Sequence, residues 1–453
     1  MSRLVCVSNR ISLPRKSAAP GGLAIGILSA LKRTGGLWFG WGGETVEQEP
    51  GDPDIHIREG VNYATIDLKK DEFELYYNGY ANEVLWPLFH YFQRSVRYES
   101  EQRDAYENVN RTFAQKLAPL ITPDDVIWVH DYHLIPLGRR LRELGVRRPL
   151  GFFLHIPFPN IEMLRVLPAY AELLRDLTSY DVVGFQTVND LRSFHSGIEH
   201  LCGPEALRGD GRIRVGDRTM RADVFPIGID VASVDSEALD ASQAEVVRRM
   251  TDSLMGRALM IGVDRLDYSK GLVERFQAYR QFLETFPDNL GRITYLQIAP
   301  LSRTDVRAYS EIRQALEQAA GRTNGRFADT DWTPIRYLNR NFPHATLMGL
   351  LRAANVGIVT PLRDGMNLVA KEFVASRKDK RGVLVLSEMA GAARELSDAI
   401  TIEDPVTFDK PWTFTFNYRR LPDYTLLEYI CEDNREYIDE KGLQRMRLES
   451  QKP

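Results

Sequence analysis

The segment Arg363-Asp364-Gly365-Met366-Asn367-Leu368-Val369-Ala370-Lys371-Glu372 has the residue types and spacing that best suit chemistry in this chain. It follows an apolar run, residues 356–361, and leads into a stretch of helical spacing, residues 368–376. A strand, a short glycine-bearing loop and a helix start together leave free backbone N–H groups aimed at the loop, a site suited to phosphate. Glu372, one turn into that helix, is placed to accept hydrogen bonds from a neutral hydroxyl such as that of a ribose. The combination points to a nucleoside diphosphate with acidic groups turned towards sugar hydroxyls.

Further constellations occupy equivalent positions. Asp264-Arg265-Leu266-Asp267-Tyr268-Ser269-Lys270-Gly271 lies between a strand and a helix. Arg265 and Lys270 there would stabilise charge as a diphosphate departs; the plainer reading is a solvated loop in which Asp264 and Asp267 neutralise the two cations. Ala299-Pro300-Leu301-Ser302-Arg303 puts another cation just past a strand end, where a guanidinium can grip a phosphate in bidentate fashion. In the first half, Asp131 follows the strand-like run 126–129 and His155 ends a second run at 151–154, side by side if the strands are neighbours. Asp131 could hold a sugar hydroxyl. For His155 a substrate contact and a satisfied core histidine stand about level. His130 and His133 read as polar residues at a strand end, since no third ligand has metal-site spacing. Ser8-Asn9-Arg10 followed by Gly21-Gly22 is a strand-to-helix turn in which glycine allows close backbone approach; an ordinary tight turn explains it equally well. The triplets Asp52-Pro53-Asp54 and Asp329-Thr330-Asp331 could in principle hold a divalent cation, but neither ends an apolar strand, and the metal reading is the weaker one.

These groups must be positioned by alternating strands and helices. Runs at 4–8, 126–129, 151–154 and 182–186 read as strands, with helical spacing at 22–32, 133–144 and 165–177. A second series follows, with strands at 258–263, 293–299, 356–361 and 383–387 and helices at 272–286, 305–319 and 368–378. Such alternation predicts parallel sheets covered on both faces. Two series predict two α/β domains, with the site in the cleft beyond the strands' carboxyl ends. The hinge is placed at Phe225-Pro226-Ile227-Gly228-Ile229-Asp230, with a polar, helix-poor stretch after it. Residues 37–110 depart from the alternation. They carry many aromatics, including Trp38, Phe39, Trp41, Tyr76, Tyr77, Tyr80, Trp86, Phe89 and Tyr91. Rings beside polar groups suit a sugar, though most of these are expected simply to fill core.

Composition narrows the class. The chain has 453 residues, 43% apolar and 26% charged, with a net charge of −4. That is ordinary for a globular protein and gives no global attraction to nucleic acid or an anionic membrane. Three cysteines, Cys6, Cys202 and Cys431, without CxxC spacing argue against a disulfide framework. No apolar run reaches the roughly 18–20 residues of a membrane span, and the N-terminus lacks a signal peptide's apolar region. A cytoplasmic location is expected.

The motifs resemble a known family. Val7-Ser-Asn-Arg10, Gly21-Gly-Leu23, Leu37-Trp-Phe-Gly-Trp41, Val84-Leu-Trp-Pro87, His130-Asp-Tyr-His-Leu134, Phe153-Leu-His-Ile-Pro-Phe-Pro159, Arg265-Leu-Asp-Tyr-Ser-Lys-Gly271 and the 363–372 segment look, in order, like the retaining glycosyltransferases that make trehalose 6-phosphate. The similarity runs from about residue 2 to about residue 403. It implies an α/β fold of two Rossmann-like domains with parallel sheets facing a central cleft, the GT-B type. Residues 1–228 would form the domain on the glucose 6-phosphate side and 229–403 the domain on the nucleotide-sugar side, with 404–453 an atypical segment.

The resemblance further implies transfer of glucose from a nucleotide donor, UDP-glucose by default with ADP and GDP left open, to glucose 6-phosphate. No metal or other cofactor is implied. Arg10 and Arg303 would grip the acceptor's phosphate with Tyr77 alongside, Trp86 and Asp131 would hold its sugar, and Trp41 would line the pocket. Gly21 and Gly22 would lie against the donor and His155 would contact the transferred glucose. Arg265 and Lys270 would bind the diphosphate. Asp364 and the backbone of Gly365, Met366, Asn367, Leu368 and Val369 would hold glucose and phosphate, and Glu372 the ribose. Asp131, His155, Arg265, Lys270 and Asp364 would carry the chemistry. A synthase with another acceptor, such as glycerol 3-phosphate, and a non-catalytic sugar-phosphate sensor are the alternatives. Small molecules are the expected partners, not nucleic acid or membrane; a homo-oligomer stays open. Two departures stand out. Asp264 sits where that family usually has Glu, and residues 402–418 alternate like an extended segment where the family continues with helices.

Overall fold

The computed structural model describes residues 2–11, 22–208, 210–301, 307–377, 379 and 381–396, and beyond them 398–402, 412–416, 436–438 and 444–446. The chain divides into two compact units, Met1–Leu396 and Ser397–Pro453.

The first unit opens with β1 (Arg3–Arg10), α1 (Gly22–Thr34), β2 (Gly36–Val46), β3 (Asp54–Arg58) and β4 (Val61–Lys69). A long helical passage follows: α2 (Lys70–Phe73), a π-helical stretch over Glu74–Leu85, α3 (Trp86–Phe89) and then α4 (Ser100–Leu117). Next come β5 (Asp125–His130), α5 (Leu137–Glu143), β6 (Leu150–Phe153), α6 (Ile161–Leu164), α7 (Tyr170–Leu177), β7 (Val182–Phe185), α8 (Val188–Cys202), β8 (Arg212–Val215) and β9 (Arg218–Val224). These strands make one nine-stranded sheet in the order β3-β4-β2-β1-β5-β6-β7-β9-β8, parallel except for the two edge strands β3 and β8.

A second series forms α9 (Val231–Ala241), α10 (Glu245–Asp252), β10 (Ala258–Val263), α11 (Leu272–Thr285), β11 (Ile293–Ile298), α12 (Arg307–Phe327), β12 (Ile335–Leu338), α13 (His344–Ala353), β13 (Val356–Val359), α14 (Leu368–Ala375) and β14 (Val383–Leu386). Its sheet is wholly parallel, ordered β12-β11-β10-β13-β14. The strand order reverses between β1 and β5 in the first sheet and between β10 and β13 in the second. Open α/β sheets bind ligands at such switch points.

Continuous apolar runs form the central strands because both faces are covered. In the second sheet one face packs Val234, Val247, Met348, Leu350 and Phe373 against β10 and β11, and the other packs Leu272, Phe276, Tyr279, Leu316 and Trp332. The first sheet is larger: Ile27, Leu31 and Trp38 cover one side, and a core running from Phe39 and Trp86 to Phe194 fills the other.

One expectation is corrected here. The stretch after the 225–230 connector is not helix-poor: α9 starts at once, with the Asp230 carboxylate accepting from Ser233 N at 3.1 Å as its N-cap. Residues 37–110 do depart from the alternation, since β2, β3 and β4 follow one another with no helix between them and helical segments run from there to α4, yet β2 and β4 extend the same parallel sheet. Glycines and tryptophans in β2 hide its strand character. The connector itself is tied down, since Ile227 donates its N–H to Gln186 Oε1 at 3.0 Å and its carbonyl accepts from Lys371 Nζ at 2.7 Å.

In the second unit, β15 (Asp398–Ile402) pairs antiparallel with β16 (Trp412–Phe416); of the stretch 402–418 expected to be extended, the described residues, 402 and 412–416, are strand and the rest lie outside the described residues. β17 (Glu436–Ile438) pairs with β18 (Gln444–Met446). No helix among the described residues is long and apolar enough to cross a membrane.

Candidate active site

At the first sheet's switch point, aromatic rings and backbone do the positioning. The π-helical stretch has an i to i−5 pattern, visible where Trp86 N donates to Ala81 O. π-helices are rare and concentrate at functional sites. Here the wider turn carries Tyr77 and delivers Trp86. Tyr77 stacks on His133 at 5.6 Å and on Phe73 at 5.2 Å, and lies 6.4 Å from Trp41. Trp41 is buried on β2, its indole N–H donating to Glu44 O at 2.6 Å. Arg10, exposed at the end of β1, lays its guanidinium over the Trp41 ring at 5.2 Å. Trp86 is buried between His90, 4.2 Å away, and Tyr132, 5.7 Å away.

Asp131 leaves β5 with φ +76° and ψ 165°, a backbone region occupied almost only by glycine, and such outliers concentrate at functional sites. Its N–H donates to Phe153 O at 2.8 Å and its Oδ1 accepts from His155 N at 3.3 Å. Asp131 and His155 thus meet at adjacent strand ends, as the sequence predicts. The His155 ring is held in turn by buried His130, Nε2 to Nδ1, at 3.1 Å. Burial pushes the His155 imidazole down to about 3, and burial together with the neighbouring His155 pushes His130 well below its usual value. Both rings are therefore neutral, and one donates to the other. The polar-strand-end reading of His130 holds, with this added partnership.

The second sheet's switch point is ionic. Lys270, 9% exposed, donates to Asp364 Oδ2 at 2.6 Å, and Asn367 Nδ2 donates to the same oxygen at 3.0 Å. Burial works to raise the Asp364 carboxyl, but Lys270 and Asn367 outweigh it and hold it below the usual carboxylate range. The reading of Asp264 and Asp267 as solvated neutralisers of Arg265 and Lys270 is overturned. Asp264 is buried and pairs with Arg275 at 2.7 Å. Asp267 accepts from Ser269 N at 2.9 Å and from Tyr309 Oη at 2.8 Å. Arg265 is exposed, its guanidinium 5.8 Å from the Trp86 ring.

The helix start at 368 forms as expected. Asn367 adopts φ +76° and its side chain accepts from Ala370 N at 3.2 Å, capping α14. Met366 is buried, and its carbonyl accepts from Ala392 N at 2.7 Å. Leu368 and Val369 open the helix. Gly365 is packed so closely that a Cβ would collide with the His155 carbonyl and reach 3.0 Å from Ile156 Cα. The two halves also meet where Arg363 lies 3.9 Å over the Tyr91 ring and Phe92 packs edge-on to Tyr268 at 5.1 Å. Glu372 meets His344 Nε2 at 3.4 Å, and His344 Nδ1 lies 2.8 Å from Glu237. The bond to Glu372 raises His344 to about 9 against an opposing effect of burial, with Glu237 adding to the rise.

Gly21 and Arg303 lie outside the described residues; Gly22 is the first residue of α1. Of the Asp-x-Asp triplets, Asp52 meets Lys116 at 3.2 Å and Asp331 pairs with Arg257. Among the described residues no group of three or more His, Cys, Asp and Glu side chains could hold a metal ion. Sequence reasoning missed Arg275 and His344 altogether. His344 lies 28 positions from Glu372, and no local signal links the two.

Two doubly wound parallel sheets whose switch points face one another, one edged with rings and one with paired charges, define a glycosyltransferase of the GT-B type. The family model described as Glycosyltransferase family 20 matches residues 6–410, and the chain belongs to that family. A trehalose-6-phosphate synthase of Sodalis glossinidius is 46% identical over 405 residues, covering 89% of this chain and 85% of that protein. A trehalose-6-phosphate synthase of Escherichia coli O157:H7 is 44% identical over 443 residues, covering 96% and 93%. That alignment extends into the segment beyond 403 that the sequence reading left outside the resemblance. The crystal structure of a UDP-forming α,α-trehalose-phosphate synthase from Burkholderia xenovorans in complex with glucose 6-phosphate superposes with a TM-score of 0.83 at 46% identity, covering 87% of each chain.

Proposed function

We propose that this chain transfers glucose from UDP-glucose to glucose 6-phosphate with retention, giving α,α-trehalose 6-phosphate and UDP. The observation that carries the reading is the Lys270–Asp364 pair at the second switch point, set across the Gly365–His155 contact from the ring-lined pocket of the first. In the proposed reaction the bond from the sugar's anomeric carbon to the phosphate oxygen breaks, and the acceptor's anomeric hydroxyl bonds to that carbon. The acceptor's proton passes to the departing phosphate on the same face. Arg265 and Lys270 stabilise the charge that collects on the diphosphate. Asp364 and His155 orient the transferred glucose, and Glu372 holds the ribose. Asp131, Trp86, Tyr77 and Trp41 form the acceptor sugar's pocket, with Arg10 and Arg303 on its phosphate. Cations do the work a metal would otherwise do, so we propose neither a metal nor a cofactor. We further propose a cytoplasmic enzyme acting on small molecules, without nucleic-acid or membrane partners; the modest net charge of −4 supports this.

The test is UDP release from UDP-glucose with and without glucose 6-phosphate, in EDTA. Release that requires glucose 6-phosphate and survives EDTA is expected. Calorimetric binding of UDP and glucose 6-phosphate without release would replace the enzyme with a sensor. Release driven by glycerol 3-phosphate instead would change the acceptor.

A further inference from the structure

Beneath the Lys270 loop lies a buried polar cluster. Its centre is Arg275, on the first turn of α11, with a fully buried side chain. Nη1 donates to Asp264 Oδ2 at 2.7 Å and to Gln297 Oε1 at 3.0 Å, Nη2 to the Lys270 carbonyl at 3.1 Å, and Nε to Thr360 Oγ1 at 3.0 Å. Asp264 follows β10, Gln297 lies in β11 and Thr360 follows β13. One planar guanidinium therefore spans three neighbouring strand ends and the loop that carries Lys270. Gln297 is itself fixed by Tyr295 Oη at 2.5 Å. Gly262 leaves room for the cluster, since a Cβ there would lie 2.8 Å from Arg275 Nη1.

The cluster is a poor way to gain stability. A buried ion pair pays desolvation that its mutual attraction only partly recovers, and apolar residues of similar volume often do as well or better. What apolar residues lack is a rigid fork that fixes several acceptors at set distances. Here that fork locks the Lys270 backbone to the ends of β10 and β13. The lock is completed by Leu362 N donating to Ser269 O at 2.8 Å and by the tight approach of Gly271 to the Thr360 carbonyl. Its outcome is the 2.6 Å placement of Lys270 Nζ on Asp364.

We infer that Arg275, with Asp264 as its counter-ion, is a positioning residue for Lys270, setting where that ammonium meets the departing diphosphate. The inference rests on the glucosyl-transfer reading of the cleft, and UDP release by the unaltered protein tests that reading separately. Arg275→Lys keeps the charge but loses the fork. It is expected to lower kcat about 10²-fold, as a misplacement near 1 Å would, with the KM for glucose 6-phosphate unchanged. The same change in a Lys270→Met background is expected to cost less than about twofold, because effects routed through one residue do not add. A full further loss in that background would overturn the inference. The double variant Asp264→Asn/Arg275→Met removes both buried charges and is expected to keep the parent melting temperature while losing rate. Parent rate in this folded double variant would also overturn it. Should Arg275 variants fail to fold, Thr360→Val removes one acceptor alone. A severalfold drop in kcat in this folded variant supports the inference, and an unchanged kcat overturns it.

Discussion

The two halves of the cleft are lined with different chemistry. On the first sheet the site is built from rings and backbone: Trp41 packs with Tyr77 and Trp86 with Tyr132, the backbone N–H groups of Asp131 and His155 are tied down, and the His155 ring is held by His130. On the second sheet it is built from ion pairs: Lys270 with Asp364, Asp264 with Arg275, Lys371 with Glu395, and His344 between Glu237 and Glu372. A neutral sugar ring needs flat apolar faces and a few oriented hydrogen bonds. A leaving diphosphate needs fixed charges that cannot relax as it departs, because preorganisation is what makes such charges effective. Under the proposed reaction, charge development would fall to the second half and acceptor recognition to the first.

The largest expected effect breaks the ionic side. Lys270→Met should lower the rate of UDP release about 10³-fold; a loss under tenfold would mean that charge development is not centred on this half. Next comes the seam between the halves. Gly365→Ala places a methyl group against the His155 carbonyl, and about a 10²-fold fall in kcat is expected in steady-state assays. The ring side should respond in KM instead. Tyr77→Leu removes the stacked pairs with His133 and Phe73 and should raise the KM for glucose 6-phosphate about tenfold, with that for UDP-glucose unchanged. A matching rise in the donor's KM would erase the division of labour.

The smallest effect is on stability. His344 is raised in the folded protein, so its ion pairs contribute fully below its unfolded value of about 6.5. That contribution is lost as pH rises through about 9. Thermal melts of the parent should fall across that window, and His344→Gln should flatten the slope. An unchanged slope would show that the Glu237 and Glu372 contacts carry no net charge coupling.

Legibility also differed between the halves. The strands β10, β11, β13 and β14 were readable because each is an apolar run, and the Asp364–Glu372 loop follows one of them directly. β2 and β4 were not, since Gly40, Gly42, Gly43 and the interleaved polar residues break the β signal while the sheet still pairs through its backbone. The helical spacing at 133–144 likewise became a 3₁₀ turn and the shorter α5, with Pro136 between them. Most of the aromatics at 37–110, Phe39, Tyr76, Tyr80 and Phe89 among them, fill core as expected.

The sequence by itself determined the two α/β series, the loops at strand ends and the residue types within them, because these depend on local periodicity and on glycine and charge at short spacing. Tertiary structure alone decided which charges pair. Asp264 lies one residue from Arg265 yet bonds Arg275, and Glu372 finds His344 from another helix. Neighbours in the chain point in different directions from a strand end, whereas burial forces each charged group onto whatever partner the packed helices bring within reach.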